Sequence, residues 1–177
     1  MDLVKQLAKA HSRANADLVL DWLYKDRART QVLMEVVKSK EVNFKIIQRA
    51  AMVLGDLGRA RPDWLLPYHR DLLDLVHAYD HPALPRAVTR YFSELPLAQI
   101  NEENQGRLLD LSFAYVGNPQ ETVTVRVFSM RTLLAFTKLY PELRDELRGL
   151  AEEILLEEGA TAGLLSSARR AVKALGK

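Results

Sequence analysis

Apolar residues recur at steps of three and four positions along nearly the whole chain, and this spacing constrains the fold more than any other feature. A clear example is the run Phe44, Ile47, Ala51, Leu54 and Leu57. Residues at this spacing share one face of an α-helix, because the helix completes a turn about every 3.6 residues. The pattern predicts an all-α protein built from amphipathic helices.

The alternating segment Thr122–Val127 has strand propensity, but it runs without a break into Phe128–Leu134, whose spacing is helical. We therefore predict one helix with a β-branched start. Asn43 is predicted to begin a helix as its N-cap, Gly58 to end that helix, and Pro141 to mark a later boundary. The predicted helices cover about residues 2–10, 14–25, 28–39, 43–58, 64–80, 84–95, 102–117, 122–140, 142–157 and 161–175.

A similar segment occurs in the second helix of four successive predicted hairpins. The four segments are anchored on Arg49, Arg86, Arg126 and Arg169, at spacings of 37, 40 and 43 residues. A period of about 40 residues is typical of two-helix solenoid repeats, which bury their apolar faces by stacking. We expect a single repeat domain over residues 1–177, with residues 1–13 as an N-terminal capping helix and residues 161–177 as a basic C-terminal helix.

Two of these segments combine arginine, small residues and leucine: Arg49-Ala50-Ala51 with Leu54-Gly55, and Val125-Arg126 with Leu133. This signature resembles the HEAT-repeat family over about residues 14–177. The resemblance implies a right-handed α-α superhelix, or α-solenoid, of four to five antiparallel helical hairpins. It also implies a scaffold, adaptor or cargo binder, since only a minority of the family binds DNA, including a glycosylase branch.

Charge is segregated between the two helices of each predicted hairpin. The second helices together carry a net charge of +10, and the first helices that follow residue 62 carry −10. In a solenoid each set lines its own surface, so we expect a basic stripe on the concave side. The candidate partner-binding residues of this stripe are Lys45, Arg49, Arg86, Arg90, Arg126, Arg169 and Lys173. The alternative is an internal ladder, in which these arginines bond to acids or carbonyls of the neighbouring repeat.

Composition excludes several classes of chemistry. The chain has no cysteine, which excludes disulfides and thiolate nucleophiles. Its start, Met1–Lys5, opens a helical pattern and not a signal peptide, and no apolar run approaches the ~20 residues of a membrane span. We expect a cytoplasmic protein without a membrane partner. The net charge of +2 is small for a dedicated nucleic-acid binder.

Candidate metal and catalytic groups are few. His77 and His81 lie four residues apart, and with Asp74 or Asp80 they have the spacing of a helical metal site. We favour helix-end and surface histidines, and we expect no metal or cofactor.

The acid pairs Glu152-Glu153 and Glu157-Glu158 are interpreted as solvated charge. No Gly-rich phosphate loop and no Gly-x-Ser-x-Gly motif occurs, so we predict no catalytic residues.

Three functions remain open after these exclusions. The leading hypothesis is a non-catalytic scaffold or adaptor that binds a protein partner through the basic stripe. A partner with an acidic surface would suit this stripe. The second is a nucleic-acid-binding solenoid, which the same stripe would serve. The third is a HEAT-type DNA glycosylase, for which Trp22 and Trp64 are candidate aromatic groups. The pattern predicts no oligomeric state.

Overall fold

In the computed structural model, which describes residues 1–78 and 81–176, all regular secondary structure of those residues is helical. The α-helices are α1 (Leu3–Lys9), α2 (Arg13–Leu23), α3 (Arg29–Lys38), α4 (Phe44–Ala60), α5 (Pro62–Leu65), α6 (His69–Ala78), α7 (Ala83–Glu94), α8 (Glu102–Val116), α9 (Val123–Leu139), α10 (Arg144–Leu156) and α11 (Ala162–Leu175). Short 3-10 turns cover Leu66–Tyr68, Leu97–Gln99 and Pro141–Leu143. The all-α prediction is confirmed, including the helix with a β-branched start, which is α9.

Polar side chains fix where several of the helices begin. The N-cap residues of α1, α2, α4, α8 and α11 each accept a hydrogen bond from the backbone N–H three residues later: Asp2, Ser12, Asn43, Asn101 and Thr161. Each such bond satisfies a backbone donor that the helix leaves unpaired, and is worth about 1 kcal/mol. The prediction that Asn43 begins a helix is confirmed.

The segment predicted as one helix over residues 64–80 is divided in the structure. The short helix α5 is followed by the 3-10 turn Leu66–Tyr68 and then by α6. Pro67 lies in this turn, where it has no N–H for the helical hydrogen-bond ladder and crowds the preceding turn. Tyr79 and Asp80, at the predicted end, lie outside the described residues.

Gly58 does not end α4, contrary to the prediction, because the helix continues to Ala60. The glycine serves close packing instead of termination. A Cβ atom at this position would lie 2.9 Å from Cδ2 of Tyr91 and 3.0 Å from Cδ1 of Leu65. A residue without a side chain therefore lets α4 approach these neighbours.

The described chain divides into two compact units, the first of which spans Met1–Glu94. Its central element is α4, which packs against α1, α2, α3, α5 and α7. Small residues bring α4 close to α7, since a Cβ at Gly55 would lie only 3.8 Å from Cβ of Ala87. Two second helices thus pack side by side in this unit.

The second unit spans Leu95–Lys177. Here α8 packs against α9, α10 packs against α11, and the second helices α9 and α11 contact each other. The buried core of this unit consists of Val116, Met130, Leu133, Leu147, Ala151, Ile154, Leu164, Ala168, Ala171 and Leu175. The helical-hairpin arrangement is therefore present within each unit, whereas a single domain over residues 1–177 stays a prediction.

No helix among the described residues is both long and apolar enough to cross a membrane.

Candidate functional site

The helices α9 and α11 of the second unit carry only basic charges. Their ranges contain six lysine and arginine residues and no aspartate or glutamate. Buried side chains such as Met130, Leu133 and Ala168 hold the inner faces of the two helices against the core. The position of each cation relative to these inner faces decides whether it is internal or available to a partner.

Arg126 is internal, with only 3% of its surface exposed. Its Nε donates to the carbonyl oxygen of Val116 at 3.2 Å, and its two terminal nitrogens donate to the Glu157 carboxylate at 2.8 and 2.7 Å. The guanidinium holds the pKa of Glu157 below its usual range, through the hydrogen bond first and the opposite charge second. Arg126 therefore fits the internal-ladder interpretation and offers nothing to a partner.

Arg49 has a similar role in the first unit. It is half-buried, and it donates to the carbonyl oxygen of Leu7 at 2.6 Å, in the last turn of α1. Arg29 and Arg144 bond in the same way to carbonyls in the last turns of α2 and α11, at 2.7 and 2.9 Å. Helix C-termini leave carbonyls unpaired and carry partial negative charge, so a guanidinium there stabilises the fold.

The other predicted stripe residues lie at the surface. Arg90 forms a partly exposed ion pair with Glu94 on its own helix, at 3.3 Å. The remaining ones are exposed and form no ion pair or hydrogen bond within the described part of the chain: Lys45, Arg86, Arg169 and Lys173. Lys45 and Arg86 belong to the first unit, and Arg169 and Lys173 belong to the second. These four side chains are free to meet a ligand.

Two further arginines, which the sequence analysis left out of the stripe, line a groove between α9 and α11. The groove has a volume of about 190 Å³ and is lined by Val127, Arg131, Leu134, Ser167 and Arg170. Arg131 and Arg170 are both exposed. A signal for them was present, because Arg131 lies five residues beyond the buried Arg126 and thus on a different side of α9.

A second cavity, of about 310 Å³, lies beside α10 and is lined by one member of each acid pair considered above. Its charged lining consists of Arg126, Glu153 and Glu157. Glu157 is held ionised by Arg126, which makes it a poor proton donor, and Glu153 is exposed. Glu152 forms an exposed ion pair with Arg148 at 2.8 Å. Glu152 and Glu153 thus fit the interpretation as solvated charge, whereas Glu157 does not, because it pairs with the buried Arg126.

The two histidines considered as metal ligands lie in different environments. His77 is exposed, whereas His81 is buried and stacks on the Phe44 ring at a centroid distance of 3.8 Å. Nδ1 of His81 accepts from the Ala83 N–H at 3.2 Å, and Nε2 lies 3.0 Å from the Phe44 carbonyl oxygen. His81 thus lies at a helix end, the start of α7, as predicted, but it is buried and not at the surface. Asp80 lies outside the described residues. Among the residues that the structure describes, no group of three or more histidines and acids could hold a metal ion.

His69 is a buried histidine that the sequence analysis did not single out. Its Nε2 lies 2.9 Å from the hydroxyl oxygen of Tyr91, and that hydroxyl donates to the carbonyl oxygen of Pro62 at 3.0 Å. Since the hydroxyl hydrogen is used on Pro62, Nε2–H of a neutral ring is the donor to Tyr91. Burial lowers the pKa of His69 to about 4. This network ties α5, α6 and α7 together.

The two tryptophans considered for a glycosylase are both partly buried. Trp64 meets the Tyr24 ring edge-on at a centroid distance of 6.4 Å, and Arg29 lies 4.9 Å from the centroid of Trp22. Arg61 lies 5.5 Å from the Tyr24 ring. Packing and cation–π contacts occupy these faces, so the rings stabilise the first unit.

Comparison with known proteins identifies the family of the chain. The family described as a HEAT repeat domain matches residues 3–175, which includes α1 and so begins earlier than the resemblance expected from residue 14. No curated protein and no solved structure matches the chain significantly. HEAT repeats commonly mediate protein interactions, and their family is typically made of non-catalytic scaffolds. With the match covering nearly all of its length, the chain belongs to the HEAT repeat domain family.

Proposed function

We propose that this protein is a non-catalytic, cytoplasmic interaction scaffold that binds an acidic protein partner through the outward basic face of α9 and α11. The observation that carries the proposal is the unbalanced charge of this helix pair. Its two ranges contain no acid, and Glu157 neutralises only Arg126. The other cations of the pair have no ion-pair partner within the described residues: Arg131, Lys138, Arg169, Arg170 and Lys173.

Unpaired cations on one face attract an anionic partner and speed its association, since the charge needs no internal bond to be broken. In the first unit, Lys45 and Arg86 add exposed positive charge on the corresponding second helices. They extend the proposal to that unit. Arg49 and Arg126 are left out of the proposed surface, because their guanidinium groups bond to the protein itself.

The test is affinity capture from the native host with a charge-reversed variant, Arg169→Glu with Lys173→Glu. Both side chains are exposed and unpaired, so the fold should persist and the far-ultraviolet helical signal should be unchanged. The control is Lys25→Glu with Arg70→Glu, which changes the net charge equally at exposed positions outside α9 and α11.

We expect the wild-type protein and the control to retain the same acidic proteins, and the charge-reversed variant to lose them. Equal capture by all three proteins would refute the proposal. The nucleic-acid alternative predicts binding to DNA or RNA that weakens steeply with salt, because phosphate contacts release counterions. If nucleic acid binds at about 50 mM salt and acidic proteins do not, that alternative replaces the proposal.

A further inference from the structure

The groove between α9 and α11 has an apolar floor and a charged rim. Val127, Arg131 and Leu134 lie at positions i, i+4 and i+7 of α9, which places them on one side of that helix. The Ser167 hydroxyl is turned inward and donates to Sδ of Met130 at 3.6 Å. The polar groups left to a ligand are therefore the guanidinium groups of Arg131 and Arg170.

These two guanidinium groups are suited to carboxylates. Neither has an ion pair or hydrogen bond within the described residues, and both side chains are exposed. Arg131 lies over the Phe128 ring, with its guanidinium carbon 5.6 Å from the ring centroid. A guanidinium stacked in this way keeps its N–H edge available, and it pairs with a carboxylate through two parallel hydrogen bonds.

The size of the groove limits what can fill it. Its volume of about 190 Å³ is below the roughly 300–1,000 Å³ of small-molecule and cofactor sites. It is instead suited to one anchoring side chain of a partner. An apolar anchor fits the floor formed by Val127 and Leu134, and acidic residues on either side of the anchor reach the two arginines.

The chemistry favours a protein segment over a nucleic acid. Binding of single-stranded nucleic acid relies on bases stacking on exposed rings. None of the described residues that line this groove is aromatic, and the nearby Phe128 on α9 is half-buried with Arg131 over its ring. An apolar floor without an open ring face suits an aliphatic side chain.

We infer that the α9–α11 groove binds an acidic protein segment that presents a single apolar anchor, such as leucine, between carboxylates. This inference rests on the proposed function and names the chemistry of the partner. It assigns the largest contributions to Arg131, Arg170 and the floor of the groove, in addition to the long-range attraction by the positive charge of the whole face.

The experiment measures fluorescence anisotropy of labelled acidic peptides with the full chain. One peptide has a central leucine among aspartates and glutamates, and its matched control has alanine in place of the leucine. The protein variants are Arg131→Ala, Arg170→Ala and Arg169→Ala. Arg169→Ala is the matched control, because it removes the same charge from the neighbouring exposed position, which does not line the groove.

We expect the leucine peptide to bind about tenfold more tightly than the alanine peptide, as is usual for a desolvated anchor. Arg131→Ala and Arg170→Ala should each weaken the leucine peptide about tenfold or more, whereas Arg169→Ala should weaken it about twofold through long-range charge alone. Circular dichroism checks that each variant retains its helical content.

Failure of this inference differs from failure of the proposed function. The groove is not the binding site if the two peptides bind equally tightly, or if Arg169→Ala and Arg170→Ala lose equal affinity. The basic face would then act as a diffuse electrostatic surface. Tighter binding of a single-stranded DNA of equal charge, or salt-sensitive self-association in place of peptide binding, would overturn the acidic segment as the occupant. Unchanged capture by the Arg169→Glu and Lys173→Glu variant would instead refute the proposed function itself.

Discussion

Replacing Glu157 by glutamine should destabilise the second unit strongly, because it removes the counter-charge of a buried arginine. Arg126 is 3% exposed, while the Glu157 side chain is 24% exposed. Breaking a buried ion pair by removing one partner costs roughly 3–5 kcal/mol. The partial exposure of Glu157 lets water replace some of the lost bonding, so we expect a loss of about 2–3 kcal/mol in the free energy of unfolding.

The reciprocal change should cost much less. In Arg126→Met the buried charge disappears, and the carboxylate of Glu157 can turn to solvent. The loss is then about 1 kcal/mol, mainly from the unpaired carbonyl of Val116. The double variant should resemble Arg126→Met alone, which gives a coupling energy of about 2–3 kcal/mol between the two side chains.

Urea unfolding followed by far-ultraviolet circular dichroism measures these differences. Both tryptophans of the chain, Trp22 and Trp64, lie in the first unit, so their fluorescence reports on the part of the protein where nothing was changed. A Glu157→Gln variant within about 0.5 kcal/mol of wild type would refute the reasoning, because surface-like changes have effects of that size. Arg126 would then return to the set of candidate partner-binding residues.

Further predictions concern the first unit. The buried, neutral His69 should make stability fall as the pH drops from about 6.5 toward 4, by about 2 kcal/mol at pH 5, because its folded pKa is about 4 and the unfolded chain binds the proton first. Urea unfolding at several pH values checks this prediction. The free energy of unfolding should fall less steeply with falling pH in His69→Gln than in wild type, and equally steeply in His77→Gln. Equal curves for all three proteins would contradict a buried, neutral His69. Gly58→Ala should lower the free energy of unfolding by about 1 kcal/mol or more, since the new Cβ meets a ring atom at 2.9 Å, whereas Gly55→Ala should raise it by about 0.5–1 kcal/mol through helix propensity. Thermal unfolding compares the two variants. A Gly58→Ala variant more stable than wild type would contradict the expectation, since it would show that the neighbouring side chains move to accommodate the new Cβ atom. Arg49→Met should lower the free energy of unfolding by about 1 kcal/mol and increase amide hydrogen exchange in α1. It should leave the binding of an acidic peptide unchanged, and a large loss of binding would place this arginine at the surface.

Most helices were predictable because their causes are local. The Asn43 side chain caps the backbone of its own helix, and the apolar period of α4 lies within that helix, so both can be identified from neighbouring residues. The β-branched start of α9 followed the helical pattern of the residues after it. Local signals of this kind fix an element before its neighbours are known.

The errors arose where a distant residue decides the outcome. Gly58 looks like a helix end in sequence, but its role is set by Tyr91, which lies 33 positions away. Pro67 carried a local signal for a break in the helix that the predicted segment passed over.

The candidate site shows the same division between local and distant causes. The excess of basic residues on α9 and α11 is visible in the sequence, but the state of each cation depends on its partner. Arg126 is neutralised by Glu157, 31 residues away, and Arg49 donates a hydrogen bond to a carbonyl oxygen 42 residues away. Arg131 and Arg170 meet at one groove only because α9 and α11 pack against each other. The arginine-anchored repeat selects two internal arginines, Arg49 and Arg126, and misses the two that line the groove.

Photo-crosslinking in the native host tests most directly whether the basic face is where a partner binds. A photoreactive phenylalanine analogue replaces Ser166, which is exposed on α11 one turn before Arg169 and Arg170, or it replaces Glu152, which is exposed on α10. The proposed surface predicts covalent adducts with an acidic protein from position 166 and few or none from position 152. Adducts that form equally from both positions, or mainly from position 152, would contradict it.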